Sequence, residues 1–121
     1  NNVAMGYGAL DANTTAPDNV AVGFLALSTN TTGAENTALG SYAMNVNTTG
    51  ADNTAVGRLA LRFNTTGNDN IAIGQAAGDN ITTGSSNIII GSSINAASAT
   101  ASNQLNIGGW IKRDSAGAIG A

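Results

Sequence analysis

Four carboxylates recur at a fixed interval of seventeen residues in this 121-residue chain: Asp18, Glu35, Asp52 and Asp69. Each stands immediately before an asparagine. Carboxylates that converge in pairs do general acid–base chemistry, and groups of them hold Ca²⁺. These form a row. Stacked at about 4.8 Å they repel one another. A column of Ca²⁺ ions, with asparagine carbonyls as further ligands, would relieve that repulsion. The competing reading is a solvated turn whose acid faces water, and the Gly/Asp-rich nonapeptide of calcium-binding β-rolls is absent. No nucleophile–base set stands beside the row, so neither catalysis nor a cofactor is predicted. The chain has no histidine and no cysteine, which removes the commonest neutral-pH base, thiolate ligands and disulfides.

Three further patterns carry chemical meaning. Adjacent threonines at 14–15, 31–32, 48–49, 65–66 and 82–83 would form ranks along a rod, as an ice-binding face does. Neighbours in an extended strand point to opposite faces, however, so these threonines fit better as hydrogen-bonding turn residues. The triplets at Asn13, Asn30, Asn47, Asn64 and Asn80 match the N-glycosylation acceptor, a by-product of a threonine-rich turn. Tyr7, Phe24 and Tyr42, followed by Arg58 and Gln75 at equivalent places, would either stack on a sugar or pack on a neighbouring chain. Packing is the better fit, because aromatic rings gain most from buried area.

Only 9% of residues are charged, the net charge is −3, and the four cations make no stripe, so nucleic acid is excluded as a partner. No apolar run of about eighteen residues is present to insert in a membrane. The chain opens inside its own pattern at NNVAMG and reads as a fragment of a longer polypeptide.

That pattern is the strongest signal. Gly6, Gly23, Gly40, Gly57, Gly74, Gly91 and Gly108 are each seventeen residues apart. Asn2, Asn19, Asn36, Asn53, Asn70, Asn87 and then Gln104 start the units. Seventeen residues is too short for two helices and no multiple of a heptad. Thr54 and Val56 face one way and Ala55 the other, which is strand periodicity. A second short strand is predicted around Ala60–Leu61, and NTTG turns the chain. The predicted fold is all-β: a parallel β-solenoid of 17-residue coils, seven in residues 1–108. Residues 109–121 would form a capping segment in which Trp110 plugs the end. Asn19, Asn36, Asn53, Asn70 and Asn87 should form a structural ladder of amides, beside a backbone column of Gly23, Gly40, Gly57, Gly74 and Gly91.

A coil this thin has little room. Met5, Val22, Leu39 and Val56 make one apolar strip, and Leu10, Leu27, Met44 and Leu61 make another. Either both fill one monomeric core or one of them faces partner chains.

The units NTAVGRLALRFNTTG and NIAIGQAAGDNITTGSSNIIIG, with the tail ASATASNQLNIGGWIKRDSAGAIG, resemble the repeats of bacteriophage tail-fibre proteins. The N-(T/S)-A-(V/I)-G core is also similar to the head repeats of trimeric autotransporter adhesins, which are left-handed parallel β-rolls three chains wide. The resemblance covers residues 2 to about 120. Lys112, Arg113 and Asp114 depart from it, where such fibres usually have a small neutral turn. In tail fibres the repeat often precedes a chaperone domain that trimerises and is cleaved off. The resemblance implies a homotrimeric, non-enzymatic attachment module of an extracellular virion fibre, whose partners are itself and a bacterial surface glycan or protein receptor. Alternatives are a bacterial adhesin head, a monomeric ice-binding solenoid and a polysaccharide depolymerase.

Overall fold

In a computed structural model the chain is described over residues 1–114, 116–117 and 119–120. It winds as a parallel β-solenoid. Seven three-residue strands, β1 (Val3–Met5), β2 (Val20–Val22), β3 (Thr37–Leu39), β4 (Thr54–Val56), β5 (Ile71–Ile73), β6 (Ile88–Ile90) and β7 (Leu105–Ile107), pair in sequence order. The register is the repeat itself: Ala55 lies beside Ala38 on one side and Ala72 on the other. Seven strands enclose six complete turns rather than seven. After β7 the chain reverses, and β8 (Ile111–Arg113) and β9 (Ile119–Gly120) extend the same sheet as antiparallel strands.

Each coil contains one strand, not two. The stretch around Ala60–Leu61 is a turn in which Leu59 (φ 64°) and Leu61 (φ 48°) take left-handed backbone on either side of Ala60. Ala60 and Leu61 are consecutive and both buried, which a pleated strand cannot achieve. Left-handed backbone costs a leucine roughly 1–2 kcal/mol. Hydrogen bonds to both neighbouring coils offset it: Leu59 N–H donates to Ser41 O (3.0 Å) and Leu61 N–H to Ala77 O (3.0 Å).

The interior is half polar. Two asparagine ladders run along the rod. In the first, Asn36 N–H donates to Asn19 Oδ1 (2.9 Å), Asn53 N–H to Asn36 Oδ1 (3.0 Å) and Asn70 N–H to Asn53 Oδ1 (3.0 Å), and Asn87 and Gln104 continue it. In the second, Asn30, Asn47 and Asn64 each donate from Nδ2 to the Oδ1 of the asparagine one coil earlier. The ladders meet at the NTTG turn, where Gly67 O accepts from both Asn53 Nδ2 (2.9 Å) and Asn64 Nδ2 (3.0 Å). Between them the coils with glycine are tightly closed, and only at the two end coils does alanine, Ala16 and Ala101, take that place. A Cβ on Gly50 would lie 2.5 Å from both Gly67 O and Asn47 Oδ1.

The apolar half of the core is built from Ala21, Ala38, Ala55 and Ala72, from Ala26, Ala43, Ala60 and Ala77, and from Leu27, Met44 and Leu61. The pattern breaks once, and the break is compensated. Where the next leucine should stand the chain has Gly78, and a Cβ there would already lie 3.3 Å from Ile81 Cδ1 and Leu61 Cδ2. Ile81 replaces an asparagine of the second ladder and Ile89 replaces an alanine, and both are fully buried. The exchange leaves one scar: Asn64 Oδ1 is buried without a donor, because Ile81 stands where the next ladder amide would be.

Two outcomes are expected. Asn53→Leu orphans the Asn70 N–H and removes bonds on both sides, so chemical denaturation should show a loss of about 3 kcal/mol. Gly78→Leu alone should cost at least about 2 kcal/mol by overpacking. The triple change Gly78→Leu, Ile81→Asn, Ile89→Ala restores the regular columns and should recover most of that loss, as a thermodynamic cycle over the variants would register.

Candidate assembly face

Strand geometry decides what points outward. In β2 to β6 the central residue is buried in the core and the flanking two face away. The outward columns are Val3, Val20, Thr37, Thr54, Ile71, Ile88, Leu105 and Met5, Val22, Leu39, Val56, Ile73, Ile90, Ile107. Their neighbours in space are one another, because the register stacks like on like. The result is a two-column face roughly 29 Å long, aliphatic except at Thr37 and Thr54. Met5 is 66% exposed, Ile73 41% and Ile88 38%. The strip of Leu10, Leu27, Met44 and Leu61 lies on the core side, with Leu27, Met44 and Leu61 fully buried. In the single chain, then, only one of the two strips fits inside. The antiparallel β8 lengthens the face by pairing Ile111 with Ile107.

One border of the face is the acid column. Asp18, Glu35, Asp52 and Asp69 are exposed and all take left-handed backbone, with φ between 56° and 59°. So do Ser86 and Asn103, which follow them in the column. From Glu35 onward each residue uses its N–H to hold the coil before it, as Asp52 N–H does on Ala34 O (3.1 Å), while the Asp18 carboxylate accepts from the Asn1 ammonium (2.7 Å). Aspartate and asparagine tolerate left-handed backbone better than most residues, which accounts for the column through its backbone. Among the described residues no group of three or more His, Cys, Asp or Glu is placed to hold a metal ion.

The other border begins at the glycine corner. Gly40 has φ 138°, and a Cβ there would stand 2.6 Å from Gly57 C and O, so the corner is closed to other residues on two grounds. Just beyond it Tyr7 stacks on Phe24 (5.5 Å between centroids, 15°) and Phe24 meets Tyr42 edge-on (5.3 Å, 66°). The rings pack against one another along the rod. Arg58 follows in the same column and is exposed.

The first threonine of each pair is a structural donor: Thr31 Oγ1 bonds Thr48 O (3.0 Å) and Thr48 Oγ1 bonds Thr65 O (3.0 Å). Thr32, Thr49, Thr66 and Thr83 form a single exposed rank. Asn30, Asn47 and Asn64 are fully buried, so their triplets cannot accept a glycan in the folded chain. Trp110 is not a plug. It lies in the β7–β8 turn and is 84% exposed, because β8 continues the sheet edge instead of folding under the last coil. No helix of the described chain is long and apolar enough to cross a membrane.

Sequence reasoning missed the second asparagine ladder, whose members look like ordinary turn residues. Their exact recurrence, and its interruption at Ile81, was the available signal. Compared with protein-family models, with characterised proteins and with solved structures, the chain shows no match.

If the acid column is held by backbone conformation, Glu35→Asn should stabilise the fold by several tenths of a kcal/mol to about 1 kcal/mol. Millimolar Ca²⁺ should leave the melting temperature unchanged. A calcium-dependent rise would restore the metal reading.

Proposed function

We propose that this chain is a non-enzymatic, stiffening module of an extracellular trimeric fibre of the phage tail-fibre kind, and that its outward apolar face is where three copies meet. The observation that carries this reading is the face itself: an unbroken aliphatic column from Met5 to Ile107 beside a second one interrupted only by Thr37 and Thr54, with Met5, Leu39, Ile71, Ile73 and Ile88 exposed in one chain. Exposed apolar surface of that continuity marks an interaction site. The closed repeat of inter-coil hydrogen bonds supplies stiffness, and trimerisation would bury what a thin coil cannot. Such a rod would hold a receptor-binding element, or its own outer surface, against a bacterial glycan or protein, with multivalency adding weak contacts. A bacterial adhesin head would use the same assembly and differ in its anchor. Ice binding is the weaker reading, since Thr32, Thr49, Thr66 and Thr83 make only a single exposed rank and the outward strand columns carry threonine only at Thr37 and Thr54.

Sedimentation equilibrium on the chain should give three times its 11.9 kDa mass. Val56→Glu with Ile73→Glu should shift it to monomer, raising the dissociation constant by roughly a hundredfold or more. The β circular dichroism should persist, because both side chains point away from the core. A folded wild-type monomer at all concentrations would refute the reading.

A further inference from the structure

Arg62 and Phe63 lie between the buried Leu61 and Asn64, on a turn outside the strand face, and Asp79 follows Arg62 one coil later. In the two coils before, the same two places hold Ser28 and Thr29, then Asn45 and Val46. Charge and an aromatic ring are therefore concentrated at one level of the rod. The Arg62 guanidinium sits 4.0 Å from the Phe63 ring centroid, and Phe63 is 43% exposed. Arg62 Nη2 stands 3.7 Å from Asp79 Oδ2, beyond hydrogen-bond length, and the Arg62 side chain is 33% exposed. Its Nε is buried without an acceptor.

An ion pair this long and this open to water contributes little to the fold. A guanidinium carries five donors in a planar fork that matches a carboxylate, and an orphaned donor on a half-buried group is costly. The chain thus holds Arg62 between a ring and an acid without filling its fork. A ring with a cation over one face keeps the other face for a flat apolar partner. A pyranose has such a face of C–H groups, and a rim of hydroxyls that suits Asp79 as an acceptor. We propose that Arg62, Phe63 and Asp79 form a binding subsite for an acidic pyranose of an anionic polysaccharide. The sugar carboxylate takes the two Nη groups of Arg62, the C–H face lies on Phe63, and a hydroxyl donates to Asp79. The inference rests on the reading that the rod's outer surface meets a glycan, and it gives that contact a place and a sugar class. All three residues belong to one chain, so the subsite does not depend on how many copies assemble.

The test is a titration of the whole chain, followed by NMR at the Arg62 Nε–H and the Phe63 ring. The probes are tetrasaccharides of galacturonate, glucuronate and N-acetylneuraminate, each beside its carboxyl-reduced form. At least one acidic form should shift both signals and bind about tenfold or more tighter than its reduced form. Arg62→Gln and Phe63→Ala should each weaken that binding about tenfold, with the β circular dichroism retained. Arg62→Lys keeps the stem and the charge and should still weaken it several-fold, because the fork is lost. Arg58→Gln makes the same charge change at another exposed position and should leave binding unchanged. Equal binding of acidic and reduced forms, or binding that survives Arg62→Gln, would overturn the subsite and leave the glycan reading standing. An equal loss in Arg58→Gln would reduce the effect to general charge attraction and overturn it as well. No shift with any of these saccharides would also overturn it, and binding of whole bacterial lipopolysaccharide by the same chain would then show that the glycan reading survives.

Discussion

The whole molecule depends on how little space one coil encloses. Successive coils approach so closely at the glycine corner and at the NTTG turn that a single added Cβ would strike the next coil's backbone. Between those two contacts the coil accommodates an alanine column on the strand side, one column of leucine or methionine, and two columns of asparagine. Larger strand residues go outward in the regular coils, and Ile89 turns inward only where Gly78 leaves out the leucine side chain. The apolar face is therefore a geometric consequence of the repeat and not a decoration added to it.

The same constraint explains why so much of the core is polar. A thin coil turns sharply, and sharp turns leave backbone N–H and C=O groups that neither strand pairing nor water can reach. Asparagine is short enough to fit and carries both a donor and an acceptor. One side chain can thus take the N–H of the coil above and give to a carbonyl of its own coil. The ladders propagate because every amide leaves the next one a place to bind. The missing partner of Asn64 Oδ1, where Ile81 interrupts the column, shows how strictly the arrangement is kept elsewhere.

Much of this was legible in the sequence. The seventeen-residue period gave the solenoid and its register, and the alternation in Thr54–Ala55–Val56 gave the orientation of the strand. The first ladder followed from the asparagine that opens each unit. Other features were not legible, for physical reasons. Leu59 and Leu61 look like strand residues, and only left-handed backbone lets Ala60 and Leu61 both turn inward, a conformation that leucine does not advertise. The acid column was read as a question of charge, when its common property with Ser86 and Asn103 is a backbone conformation. The end of the solenoid after six turns was hidden because Leu105–Asn106–Ile107 still has the spacing of a coil, while the reversal lies in Gly108–Gly109.

The account's central claim is that the outward aliphatic columns are shielded in solution although one chain leaves them exposed. Methyl-resolved NMR with a soluble paramagnetic agent tests it residue by residue. The account predicts that the methyls of Val56 and Ile73 are as protected from relaxation as those of Leu61, which the coil itself buries. Strong relaxation at Val56 and Ile73, with Leu61 protected, would mean that the face is open to water and would contradict it.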